Sequence, residues 1–233
     1  MSGFFPYLAE SGNIFQYFRL SNTAGQIVVF LLLVFSLLAW TLMVGKFFDL
    51  SQLQKLNRYF QHKQEGVTTV LSSTEILRGI RGPYATLFHK AVEAYQQAAS
   101  VTYNPSKRIE FIENALQRSV AEITMQHESK MVYLASIVTC APFLGLLGTV
   151  WGVMDAFGSI TLQSSANIQT LAPGVSGALL TTVAGLFVAI PSVIGYNLLL
   201  SKAKNMIVEL ENFASALIDR IELEIQQEEN LST

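Results

Sequence analysis

The sequence predicts an all-α, polytopic membrane protein with three transmembrane helices, two of them extended far into the cytoplasm. Three observations carry that class. Of 233 residues, 51% are hydrophobic and 14% charged, where a soluble domain carries about a quarter charged. Three apolar runs, 27–44, 132–154 and 173–200, contain no charge; at about 1.5 Å per residue even the shortest reaches about 27 Å, enough to cross a bilayer. The amphipathic stretches beside them repeat apolar residues every three or four positions, the helical spacing. The same composition excludes a disordered chain. A net charge of −2 gives no broad basic surface for nucleic acid, and the lone Cys140 excludes an intramolecular disulfide or a cysteine metal cage.

Segment 1–25 precedes the first span, 26–45. Only Arg19 stands before that run, no small-x-small cleavage site follows it, and Lys46 comes directly after, so it reads as a retained anchor and not a cleaved signal. Basic residues set the orientation. Residues 1–25 hold one, 46–131 hold eleven, the stretch between the second and third runs none, and 201–233 three. The positive-inside rule then puts the N-terminus outside and the middle region and C-terminus in the cytoplasm. The second and third spans are 132–157 and 173–200, joined by a short uncharged outer loop, 158–172. Both runs carry a proline, Pro142 and Pro191, and are rich in small residues, which suits packed membrane helices.

The cytoplasmic parts, 46–131 and the tail 201–233, are helical by pattern. Stretches 51–63 and 75–100 predict shorter helices, the second with a Gly82-Pro83 break inside it; Arg78 and Arg81 beside the break read as a solvated face before a lipid contact. Asn104 and Pro105 form a cap and first-turn pair ahead of the stripe Ile109, Ile112, Leu116, Val120 and Ile123. No breaker follows, which predicts one helix over 106–157. In the tail, Ile207, Leu210, Ala214, Leu217, Ile221 and Ile225 repeat likewise and extend the third span.

Nothing here assembles an enzyme. His62, His89 and His127 have no metal-ligand spacing, and Gly145, Gly148 and Gly152 lie in an apolar helix without the strand and lysine of a phosphate loop. Cys140 has no polar neighbour to activate it and reads as a packing residue. No cofactor or metal is expected.

At 100° per residue, Gly145, Gly148, Thr149 and Gly152 share an arc of about 100° on the second span. On the third, Gly174, Ala178, Thr182, Gly185 and Ala189 share about 80°. Each is a side-chain-poor stripe with one hydroxyl, and in antiparallel helices both hydroxyls lie about 12 Å below the outer boundary. Such stripes serve close packing, with each threonine bonded to its own i−4 carbonyl, or they present polar atoms to a path. Stripes of this kind need cover, which a homo-oligomer would supply. Asp155, the one acidic residue between Met131 and Leu200, lies about 60° from Gly152 and is a candidate because an intramembrane carboxylate is costly. A solvated helix-end residue is the competing reading.

The stretches APFLGLLGTVWGVMDAF at 141–157 and LAPGVSGALLTTVAGLFVAIPSVIGYN at 171–197 closely resemble the ExbB/TolQ family of proton-channel motor subunits, distantly related to MotA. The resemblance extends over about residues 26–221; the short N-terminus and LLAWTLMVGKF at 37–47 resemble the TolQ branch slightly more than ExbB. It implies a pentamer ringing a pair of ExbD/TolR-like single-span proteins whose intramembrane aspartate carries the proton. Threonines at the positions of Thr149 and Thr182 then face that aspartate, and a TonB- or TolA-like transducer passes the work to the outer membrane. The energetics agree: one charge crossing about 100 mV releases about 2.3 kcal/mol.

One departure stands out. The family's third helix generally carries a glutamate in a GIAEAL context, where this sequence has GVSGAL, with Gly177 at the glutamate position. Asp155, at a similar depth on the neighbouring helix, is the candidate replacement. The expectation is a pore-forming, non-enzymatic ring subunit of a proton-motive-force-driven complex, with pore residues Thr149, Thr182 and Asp155. A non-conducting scaffold for partner helices and an independent small-solute channel are its rivals.

Overall fold

The structure is a computed structural model that describes residues 18–19, 21–64, 69–70, 79–102, 104–161 and 168–232. Nearly all of these are helical and none is in a strand. Among the described residues, three helical stretches are long and apolar enough to cross a membrane.

Helix α1, Thr23–Gln64, begins where the Asn22 side-chain oxygen accepts the Gly25 N–H at 2.8 Å, a helix cap. It runs on through Lys46, so the separate helix expected over 51–63 is the last part of α1. The reason is local. No proline interrupts the stretch, and Ser51 turns its hydroxyl back to the Phe47 carbonyl at 2.7 Å instead of capping a new start. The first long helix therefore continues well beyond its apolar run, which the sequence did not suggest.

Helix α2 is Pro83–Val101. Gly82, at φ 131°, takes a conformation that favours glycine, and proline suits a first turn; together they start the helix and do not kink its interior. Residues 71–78, with Arg78, lie outside the described residues. Helix α3 is Pro105–Glu128, capped by Asn104, whose side chain accepts the Lys107 N–H at 3.4 Å. Helix α4 is Met131–Thr161.

The single helix expected over 106–157 is thus interrupted at Ser129 and Lys130. In an unbroken helix the His127 carbonyl would take the Met131 N–H; here the Lys46 ammonium donates to it. Ser129 stays helical at φ −52°, ψ −40°, so the interruption is confined to that turn. Helix α5, Ile168–Ser232, continues unbroken through Pro173, Pro191 and the tail, as expected. α4 reaches Thr161 and α5 starts at Ile168, so 158–161 and 168–172 of the stretch expected to be a loop are helical.

The chain divides into two compact units, Met1–Met43 with Val132–Asn197, and Val44–Met131 with Leu198–Thr233. In the second, the amphipathic stripes form the core: Ile112, Leu116 and Ile123 of α3 cluster with Leu210, Leu217, Ile221 and Ile225 of α5. Tyr84 of α2 stacks on Phe213 at 4.1 Å and donates its hydroxyl to the Glu209 carbonyl at 3.3 Å. Burial, seconded by Glu209, pushes its phenol pKa up. In the first unit Phe30, Phe143 and Phe187 are 68%, 72% and 80% exposed. Apolar surface of that extent belongs against lipid or another protein surface.

His127 is expected to make the second unit pH-sensitive. Burial, and then the Lys46 charge, hold its pKa below the ordinary 6.5, with Asp49 opposing. The folded state therefore binds fewer protons than the unfolded chain, so the contribution is intact above that value and declines as pH falls below it. Thermal unfolding should show a lower Tm at about pH 5 than at about pH 8, and His127→Asn should lessen the difference; an equal drop in the variant assigns it to other groups.

Candidate functional site

In the first unit α4 and α5 meet along their small-residue stripes. A methyl group added to Gly145 would lie 2.8 Å from the Thr181 carbonyl oxygen and 3.2 Å from the Gly185 Cα; one on Gly152, 2.6 Å from the Ala178 Cβ; one on Gly174, 3.1 Å from the Ala156 Cβ. Gly185 in turn faces the Ala141 carbonyl oxygen at 2.8 Å, and Gly148 the Thr181 hydroxyl at 2.7 Å. Ala178 and Ala189 are buried. Cover for the stripes comes from within one chain, so they no longer argue for a second copy. Cys140, expected to pack, is instead exposed on α4.

The close approach brings hydroxyls together. Thr149 and Thr182 oxygens lie 2.5 Å apart. Thr149 reaches its own i−4 carbonyl, Gly145, at 3.2 Å, but also the Ala178 carbonyl of the facing helix at 3.0 Å. Thr182 crosses in the other direction, donating to the Gly145 carbonyl at 3.2 Å. The bonds are therefore interhelical as well as local, which goes beyond the simple back-bonded arrangement.

A third member, Thr181, is absent from the sequence-based set. Wholly buried, it donates to the Ala178 carbonyl at 2.7 Å and the Gly145 carbonyl at 2.9 Å, and lies 3.1 Å from the Thr149 oxygen. On a helical wheel it falls only about 20° outside the Gly174–Ala189 stripe; allowing that margin would have found it. Each threonine has one proton and two lone pairs. Three hydroxyls over two carbonyls can thus form a connected chain with each proton donated and no carbonyl orphaned. Thr149 and Thr182 are half-buried while Thr181 is sealed, so the first two supply the accessible end.

Asp155 does not join this cluster. It is exposed, six residues or about 9 Å along α4 from Thr149, and its carboxylate accepts from the Asn22 side-chain amide at 3.3 Å. The facing pairs Gly152 with Ala178 and Ala156 with Gly174 set Asp155 level with about Val175, so its level is about 3 Å from that of Gly177. Gly177 itself is buried. No group of three His, Cys, Asp or Glu side chains that could hold a metal occurs among the described residues.

Known proteins place this helix pair in context. Residues 81–212 match the MotA/TolQ/ExbB proton channel family. Among similar proteins, a biopolymer transport protein ExbB of Neisseria meningitidis is 31% identical over 83% of this chain and 90% of its own length. Another ExbB, of Pseudomonas putida, is 32% identical over 74% of this chain and 52% of its own. A Tol-Pal system protein TolQ of Haemophilus influenzae is 27% identical over 86% and 90%. The relatives carry both names, and these identities do not separate the two branches. With more than half its residues in the family match, and a relative above 30% identity along most of both chains, the chain belongs to the MotA/TolQ/ExbB proton channel family.

Proposed function

We propose that this protein is a pore-forming ring subunit of a proton-motive-force-driven motor of the bacterial inner membrane, and that Thr149, Thr182 and Thr181 lie beside the ion path. The observation that carries the reading is the interhelical hydroxyl cluster inside the family-matched α4–α5 pair, where a packing interface alone would need no polar atoms. The spans are 26–45, 132–157 and 173–200, with the N-terminus periplasmic and the C-terminus cytoplasmic; the eleven basic residues in 46–131 support that orientation. Copies assemble as a homo-oligomer, a pentamer, through the exposed apolar faces of the three spans. An ExbD/TolR-like single-span protein occupies the centre, and a TonB- or TolA-like transducer carries the work outward. Native mass spectrometry of the purified protein reads the ring directly, and monomers alone would contradict it.

Asp155 supplies the ring carboxylate that Gly177 lacks. Its level close to Gly177 and its place at the edge of the glycine stripe support this, and the Asn22 amide holds the carboxylate in position. Asp155→Asn should abolish ion flux measured with the partner present, and adding Gly177→Glu should restore part of it. Unaltered flux in the single variant would leave Asp155 a solvated helix-end residue.

A further inference from the structure

At the α3–α4 interruption, within the second unit, lies a cavity of about 510 Å³ lined by Lys46, Asp49, Gly82, His127 and Lys130 among others. Lys46 is only 6% exposed. A buried ammonium normally finds a carboxylate. Yet neither Lys46 nor Lys130 is in an ion pair among the described residues, and the bond Lys46 makes is to a neutral carbonyl. Burial pushes its pKa down from the ordinary value, with Asp49 opposing and Lys130 adding to the shift. By contrast Lys202, two residues past the third apolar run, is engaged with the Ser51 hydroxyl at 2.8 Å and the Phe47 ring face at 4.6 Å. Two lysines against one aspartate leave the cavity one positive charge in excess with His127 neutral.

We propose that this cavity binds a phosphate group, held between the ammonium groups of Lys46 and Lys130. A phosphodiester carries one negative charge, which matches the excess left by Lys46 and Lys130 against Asp49 and compensates a buried cation that is in no ion pair among the described residues. The position favours the headgroup of an anionic phospholipid over free phosphate. Lys46 follows the first apolar run by two residues and Lys130 precedes the second by two, which sets both at the membrane boundary. Phe47, Phe48 and Tyr133 beside them are 54%, 66% and 66% exposed, as aromatic residues at a bilayer interface are. Basic pockets between membrane helices on the cytoplasmic side take such headgroups. The site is separate from the threonine cluster and does not depend on ion flow.

The test uses the full chain, extracted from vesicles of mixed phosphatidylglycerol and phosphatidylcholine, with retained lipid read by native mass spectrometry. The wild type should retain phosphatidylglycerol over phosphatidylcholine, and Lys130→Gln should lower that retention about fivefold, one lysine's attraction at a membrane surface. Lys130 is exposed, so this variant keeps its fold, which its Tm checks; Lys46→Gln, at the buried end, should lower retention as well. In a second arm inorganic phosphate is added to lipid-depleted protein. A rise in Tm that Lys130→Gln abolishes, without selective lipid retention, identifies free phosphate as the ligand. No lipid selectivity together with no phosphate-dependent Tm, or selectivity unchanged by Lys130→Gln, overturns the proposal.

Discussion

Replacing Thr149 and Thr182 together by valine is expected to cut ion flux more than tenfold while leaving the protein assembled. Valine keeps the branched shape and removes only the hydroxyls. The Gly145 and Ala178 carbonyls retain their helix donors and the Thr181 hydroxyl, at 2.9 and 2.7 Å, so no acceptor is orphaned. The stability cost should stay near 1 kcal/mol, about that of an interhelical hydrogen bond in a membrane. Transport is more sensitive, because an ion or proton carrier in a dry path loses its hydrogen-bonding partner, which costs on the order of 2 kcal/mol and more than tenfold in rate. Size-exclusion profile and flux, measured on the same preparation, separate the two effects. Unchanged flux with unchanged assembly would show that the hydroxyls serve packing alone.

The second large effect is mechanical. Gly145→Ala adds a methyl 2.8 Å from a backbone carbonyl and 3.1 Å from the Thr182 Cα, and backbone cannot rotate aside as a side chain can. The helices must separate by several tenths of an ångström along the stripe, which stretches the Thr149–Thr182 contact and weakens the interhelical bonds already at 3.0 and 3.2 Å. Overpacking of this kind costs about 1–3 kcal/mol, so Tm should fall and flux with it. Gly45→Ala and Gly158→Ala are the controls, since nothing lies within 4 Å of the added methyl at either position; both should leave Tm unchanged or slightly raised. An equal loss in the controls would mean that interhelical clearance at Gly145 is not the cause, since helix propensity favours alanine at all three positions.

What could be read from the sequence follows from which interactions are local. The three apolar runs were plain because hydropathy is contiguous along the chain. The tail of α5 and the core stripe Ile112, Leu116 and Ile123 were plain because their spacing is helical. The continuation of α1 past Lys46 was not, because a charge after an apolar run marks the end of the membrane and not of the helix; only a cap or breaker ends a helix. The interruption at Ser129 and Lys130 left no local signal, since the group that takes the His127 carbonyl is Lys46, 81 residues earlier. The stripes and their two hydroxyls were legible, but what covers them was not. A glycine stripe looks the same whether it faces its own chain or a neighbour. Thr181 was passed over because its angle lies just beyond a stripe defined by small residues, whereas its partner across the gap is Gly148, whose lack of a side chain makes room for it.

The central claim is that this chain conducts ions as the ring around a partner helix. The most direct measurement is proton flux into liposomes under an imposed potential, for the chain alone and for the chain co-purified with its single-span partner. The account predicts that flux requires both components, because the described membrane segments of this chain offer one exposed carboxylate, Asp155, and no carboxylate at the threonine cluster to pass a proton along. Flux by the chain alone would make it an independent channel, and absence of flux from the intact complex would leave it a scaffold; either result contradicts the account.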